Sequence, residues 1–415
     1  MARRGLKHVA VAVVAGGLMA LASPAFSQDG PRGGGQGGFG GFGGGMGGFG
    51  GDMLTPSLNS RELTTIGDML KLTREQREDM NLLFQGYMDE FQAKAGEART
   101  AMERAREDFR ESRDPSVWEG VASQMRQFRE ASVRMEKTFF EDVKSLLTEE
   151  QATGYDKVER MHRRETSMRR GFISGERVNL FTLVKDLKLE PEAEAQVLPV
   201  LDLYEVDLDR ELVRRNEEQE KIFARMDELR RGGDFEAMQG VMEEGRKASV
   251  RVRDVNRKYA RQLEGFLPAE KAAEFAAAFQ RESFPMVYRP SRASRMITAA
   301  QGFADLKPDQ QDAIANLLGS YNRDIGTLND RLAKATEETE MNFRIENFFR
   351  GGGDDTEAGE VRRKRRELDE TTIAALQRLL TKEQIDRLPR EDDRGRGGDR
   401  GGDRGGDRPR RQEIN

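Results

Sequence analysis

The pattern Leu72-Thr73-Arg74-Glu75-Gln76 returns along the chain at a fixed interval, and that recurrence limits the possible folds more than any other feature. Leu189, opening Leu189-Glu190-Pro191-Glu192, stands 117 residues after Leu72, and Leu306, opening Leu306-Lys307-Pro308-Asp309-Gln310, stands a further 117 on. Tyr87, Tyr204 and Tyr321 each follow their leucine by fifteen residues. Equal spacing of this kind marks an internal repeat, so one supersecondary unit is built three times. A second copy of the pattern closes each unit: Leu147-Thr148-Glu149-Glu150-Gln151, Leu267-Pro268-Ala269-Glu270, and Leu380-Thr381-Lys382-Glu383-Gln384.

Thr-x-x-Gln is a capping box. The threonine hydroxyl accepts an orphan N–H of the first helical turn, the glutamine reaches back to the cap N–H, and the preceding leucine serves as a staple. Where the threonine is missing, Pro191 and Pro308 occupy the first helical position, which tolerates a fixed φ and no N–H. One such motif says only that a helix begins; six in register define two helix starts per unit.

Between the starts, Met80, Phe84, Tyr87, Phe91, Ala95, Ala98, Met102, Ala105 and Phe109 are spaced by three or four, the stripe of one amphipathic helix. The spacing predicts a helix from Thr73 to about Ser112, roughly 60 Å long at 1.5 Å per residue. Asp114-Pro115-Ser116 breaks it, and a second stripe through Trp118, Val121, Met125, Phe128, Met135, Phe139 and Leu146 returns antiparallel. Unit two repeats this around Gly232-Gly233-Asp234, with a return stripe ending at Phe266; unit three turns at Gly351-Gly352-Gly353. The expected architecture is all-α: three tandem long antiparallel helical hairpins over residues 61–172, 173–290 and 291–390.

The ends read differently. Arg3, Arg4 and Lys7, an apolar run over residues 9–22 and Ala25-Phe26-Ser27 make residues 1–27 a signal peptide cleaved after Ser27, its apolar run too short to span a bilayer. The chain has no cysteine, which excludes a lipid anchor on a thiol, disulfides and thiol chemistry. The mature protein is therefore expected to be periplasmic or secreted, with no stable membrane insertion. Residues 28–60 are a glycine-rich tether with too little apolar surface to offset its ordering entropy, and residues 391–415 a disordered Arg/Gly/Asp tail. In that tail aspartates offset the arginines, which removes the counterion release that nucleic-acid binding needs. A net charge of -5 from interleaved basic and acidic residues likewise gives no single-signed field, so no nucleic acid is expected as a partner.

Catalytic chemistry is not visible. His8 leaves with the signal peptide, and His162, beside Arg163 and Arg164, reads as a solvated helix residue. Without cysteine or a second imidazole neither a histidine triad nor a usual zinc site can form. Acidic pairs such as Glu149 and Glu150 sit in a first helical turn, where the macrodipole favours them. Met238 and Met242 lie on the packing stripe, so core filling is preferred to copper binding. No catalytic residue, cofactor or metal ligand is assigned.

Paired Leu-Thr-x-x-Gln motifs bracketing a long hairpin behind a signal peptide resemble the LTxxQ-motif family of Spy- and CpxP-like periplasmic stress proteins. The motif residues are Leu72, Thr73, Gln76, Leu147, Thr148, Gln151, Leu380, Thr381 and Gln384, and by repeat register Leu189, Leu267, Leu306 and Gln310. The register extends the likeness over roughly residues 61–390. It implies an ATP-independent, chaperone-like or envelope-stress role without catalysis, in which unfolded or envelope proteins bind a concave helical surface. Two departures stand out: relatives are usually one hairpin that pairs into a dimer, and the second unit here keeps neither motif intact. Fusion of units could replace dimerisation, and the oligomeric state stays open. The basic connectors contribute candidate client contacts, Arg169, Arg170, Phe172, Phe284, Tyr288 and Arg289. The alternative is a scaffold that spaces other envelope components with stiff hairpins.

Overall fold

The computed structural model describes residues 54–114, 116–232, 235–342 and 356–389. The signal peptide, the glycine tract to residue 53, the glycine turn of unit three and the tail lie outside the described residues. Among those described, all regular elements are helical. Unit one holds α1 (Ser60–Met69), α2 (Arg74–Ser112), α3 (Val117–Ser145), α4 (Glu149–Ala152) and α5 (Tyr155–Ser167). Unit two holds α6 (Leu180–Asp186), α7 (Pro191–Gly232), α8 (Phe235–Glu264), α9 (Ala269–Ser283) and α10 (Pro285–Tyr288). Unit three holds α11 (Arg292–Gln301), α12 (Pro308–Met341), α13 (Glu357–Leu379) and α14 (Lys382–Asp386).

The long helices pair antiparallel as α2 with α3, α7 with α8 and α12 with α13. The direction is visible in the side chains: as α2 advances from Tyr87 through Phe91 to Phe109, its ring partners on α3 recede from Phe139 through Phe128 to Trp118. In the second pair Tyr204 meets Tyr259, Glu211 meets Arg251 and Arg225 meets Glu244. The stripes become cores as amphipathic helices require. Met80, Tyr87, Phe91, Phe128, Phe139 and Val143 are buried in the first hairpin, and Tyr204, Leu208, Leu212, Val252 and Leu263 in the second. Phe266, on the expected return stripe of unit two, is instead half exposed, because α8 has ended at Glu264 and the chain is turning toward α9.

Each hairpin keeps its own apolar cluster; unit one is tied to unit two by ion pairs, and unit two to unit three by ion pairs and by a fourth apolar cluster in which Phe284, Val287 and Tyr288 meet Leu332 and Val361. Lys157, Arg160 and Arg163 on α5 pair with Asp202, Glu205 and Asp209 on α7, a line of positions three or four apart on both helices. On the other side of unit two, Arg257 of α8 holds Glu337 of α12 through two hydrogen bonds of 2.7 and 2.9 Å.

Candidate functional site

The two motifs of unit one lie side by side. Thr73 and Thr148 each cap their helix, accepting from the amides of Gln76 and Gln151 at 3.2 and 3.3 Å, while the glutamine side chains accept from the threonine amides at 2.9 and 3.0 Å. The glutamines then have donors left over. Gln76 Nε2 gives one hydrogen to the Leu146 carbonyl at 2.7 Å and reaches Gln151 Oε1 at 2.8 Å; Gln151 Nε2 reaches Gln76 Oε1 at 3.0 Å and the Lys71 carbonyl at 3.2 Å. Each motif thus satisfies the chain entering the other, and the start of α2 is clasped to the end of α3. Lys71 holds φ of 51°, a left-handed conformation that costs a side chain with a Cβ about 1 kcal/mol and turns α1 into the motif.

Unit three builds the same clasp with one side altered. Gln310 Nε2 donates to the Leu379 carbonyl at 2.6 Å and contacts Gln384 Oε1 at 3.2 Å, and Gln384 Nε2 reaches the Asp305 carbonyl at 3.3 Å. Thr381 caps α14, whereas Pro308 opens α12 with only the Lys307 amide bound by Gln310. Leu72, Leu306, Leu267 and Leu380 are buried beneath their motifs, with Leu147 and Leu189 packed at the edge of the cores. Unit two has no clasp: the two glutamine positions are Ala193 and Lys271.

A second recurring contact lies at the buried tyrosines. Ser57, Ser174 and Ser291 follow the same 117-residue interval. In unit one Ser57 Oγ lies 3.2 Å from Tyr87 Oη and donates to Glu136; in unit three Ser291 Oγ lies 2.5 Å from Tyr321 Oη, which donates to Asp369 at 2.6 Å. Burial pushes all three tyrosine hydroxyls up, so each is a hydrogen-bonded phenol at neutral pH. Unit two breaks the pattern. Tyr204 donates to Asn256 at 2.9 Å, and Ser174 turns instead to Glu340 of unit three, giving its amide and hydroxyl to the carboxylate.

Residues 60–159 match the model of the LTXXQ motif family. The match spans both motifs of hairpin one and the clasp between them. Neither a curated protein nor a solved structure matches the chain.

His162 lies just past the matched segment, and the expectation of a solvated residue fails here. It is buried on α5 between Glu62 of α1 and Glu136 of α3, with Nδ1 2.5 Å from Glu62 and the Phe140 ring packed on the imidazole. Nε2 lies 3.0 Å from Glu136 without hydrogen-bond direction, so that contact is ionic. Burial pulls its pKa down, but the Glu136 and Glu62 carboxylates more than offset this and raise it to about 9. The neighbouring arginines do not oppose the charge because they turn away, Arg163 to Asp209 and Arg164 to Glu205 and the Phe181 ring.

The connector after hairpin one is not simply a basic strap. Glu176 and Arg215 form an ion pair at 2.6 Å with both side chains at 0% exposure. Glu176 also accepts from the Phe172 and Ile173 amides, and Arg215 donates to the Ser167 carbonyl at 2.5 Å. Gly175 has φ of +81°, and a Cβ there would lie 3.1 Å from Arg253 Cγ, so this turn needs glycine. Among the candidate client contacts, Arg169, Phe172 and Arg289 are exposed. Phe284 and Tyr288 are half buried against Leu332, Val361 and neighbours, Tyr288 donating to Asp330 at 2.9 Å. Of Arg170 the structure gives only its backbone, in the 3₁₀ turn Met168–Arg170.

Among the described residues no group of three or more His, Cys, Asp or Glu side chains is placed to hold a metal, and no helix is long and apolar enough to cross a membrane.

Proposed function

We propose that the three hairpins are tandem LTXXQ-type units that bind unfolded or partner proteins of the cell envelope without ATP, in the manner of Spy- and CpxP-like stress proteins. The observation that carries this reading is the clasp: the matched segment and hairpin three both close with paired capping-box glutamines, although the match itself covers residues 60–159. The basic start and apolar run of residues 1–27 support export to the periplasm or outside the cell. Arg169, Phe172 and Arg289 are exposed basic and aromatic side chains suited to clients, with Phe284, Tyr288 and Arg170 as neighbouring support. No catalytic role is assigned to any residue.

Purified protein is expected to suppress light scattering by a reduced, unfolding model client with no nucleotide present, and deletion of residues 28–52 and 392–415 should leave that suppression intact. Suppression carried by the isolated tails alone would sink the reading. A scaffold role is the second reading, favoured by the ionic ties of α5 to α7 and α8 to α12, which hold hairpins to fixed neighbours. One stoichiometric partner in a pull-down, with no protection of unrelated clients, would select it.

A further inference from the structure

Helix α7 is apolar on two sides. Val197, Leu201, Tyr204 and Leu208 face the core, and the ionic line to α5 runs along Asp202, Glu205 and Asp209. At 100° per residue a third line, Pro199, Leu203 and Val206, lies opposite the core and about a quarter turn from the ionic line. Leu203 is 62% and Val206 52% exposed. The repeat shows that the helix does not need this stripe. The equivalent positions, 117 residues earlier and later, are Leu82, Gly86 and Asp89 in α2 and Asn316, Ser320 and Arg323 in α12. Only unit two, whose hairpin lacks the glutamine clasp, carries three apolar residues there.

The unpaired charge in line with the stripe is negative. Glu192, in line with Pro199 and Leu203 at 100° per residue, is exposed at its N-terminal end and has no ion-pair partner among the described residues. At its other end Arg210 is engaged by Asp207 and Glu211. A segment lying along the stripe therefore meets apolar surface followed by the unneutralised Glu192 carboxylate. Contiguous exposed apolar surface of this kind marks interaction sites.

We infer that this face of α7 is a docking surface for apolar polypeptide segments carrying lysine or arginine. This rests on the client-binding reading above and names the class of segment that unit two would select. Apolar side chains would cover Leu203 and Val206, and a basic residue would lie against Glu192. The attraction acts over a screening length of about 8 Å at physiological salt.

The test uses purified protein and a labelled peptide of alternating leucine, alanine and lysine, with a control peptide bearing glutamate for lysine. Fluorescence anisotropy should show about tenfold tighter binding of the lysine peptide, weakening as salt rises. Leu203→Ser with Val206→Ser should weaken it about tenfold. Helical circular dichroism should be unchanged, since both side chains are exposed. Leu82→Ser, at an exposed position of hairpin one, should leave binding as it was. Equal binding of the two peptides, or unaltered affinity in the double variant, overturns the proposal. So does a wild-type dimer that the double variant dissociates, which would assign the face to a second copy. Deletion of residues 28–53 that raises affinity also overturns it, by assigning the face to the chain's own Phe/Gly segment. If the lysine peptide binds as expected but no client is protected from aggregation, the docking surface stands and the chaperone reading falls.

Discussion

Hairpins one and two share a topology and are closed by different means. In hairpin one, Gln76 and Gln151 join the two helix starts at the end opposite its turn, and His162 with Glu62 and Glu136 ties α5 and α1 to α3. Hairpin two has Ala193 and Lys271 at the glutamine positions and places its polar contacts further along, at Tyr204–Asn256 and Glu176–Arg215. It also sends Ser174 to Glu340 of hairpin three. Hairpin one thus fastens its own ends, whereas hairpin two takes part of its fastening from its neighbours. A repeat can keep its apolar stripes and exchange its polar fastenings, because stripes need only periodicity while fastenings need particular partners.

The largest effect expected from breaking this contrast is in hairpin two. Arg215→Ala leaves Glu176 charged, buried and without its ion-pair partner, a change that costs about 3–5 kcal/mol. Hydrogen exchange should show α7 and α8 losing protection while α2 and α3 keep theirs. Equal loss in both hairpins would mean that they unfold as one and that the contrast is false.

Next is His162. Its pKa in the folded protein is raised to about 9 from an ordinary 6.5, so its contribution is complete below about pH 6.5 and is lost as pH rises toward 9. The loss is on the order of 3 kcal/mol. Trp118 is the chain's one tryptophan and lies in hairpin one, so its fluorescence reports urea unfolding there. Midpoints should fall between pH 6.5 and 9.5 in the wild type and stay level in His162→Leu. A level wild type would mean that the buried histidine is neutral throughout.

The hairpins were legible in the sequence because apolar residues at intervals of three and four leave few alternatives, and α2, expected from Thr73 to about Ser112, spans Arg74–Ser112. The motif's local geometry was equally legible, since Thr73 and Gln76 are three residues apart. That Gln76 would meet Gln151 was not, because it depends on where α3 ends relative to α2. His162 was misread for the same reason: its charged neighbours in sequence point to α7, and its partners lie 100 and 26 residues away. The serines did leave a signal, the 117-residue interval shared by Ser57, Ser174 and Ser291, but serine is too common for that spacing to stand out from sequence alone.

The clasp can be sharpened by a double-mutant cycle. Gln76→Ala and Gln151→Ala each remove a cap partner and one side of the clasp, and each should cost about 1–2 kcal/mol by Trp118 fluorescence. Coupling of about 0.5–2 kcal/mol between them measures the glutamine pair itself, since contacting residues fail to add. Strict additivity would reduce the motif to two independent caps, and the difference between hairpins one and two would then lie elsewhere.

The smallest effects should come from the ionic line joining hairpin one to hairpin two, and they should rank by burial. Lys157 and Asp202 are 57% and 68% exposed, so Lys157→Ala should change stability by no more than about 0.5 kcal/mol and less still in high salt. Arg164 and Glu205 are close to fully buried, and Arg160 donates to the same carboxylate at 3.1 Å, so Arg164→Ala strips one cation from a desolvated cluster and should cost more. Both pairs lie along the same two helices and differ chiefly in exposure, with Arg164 also stacked on the Phe181 ring. If Lys157→Ala proved as damaging as Arg164→Ala, the interface would depend on total charge, and the close pairing of α5 with α7 would be incidental to it.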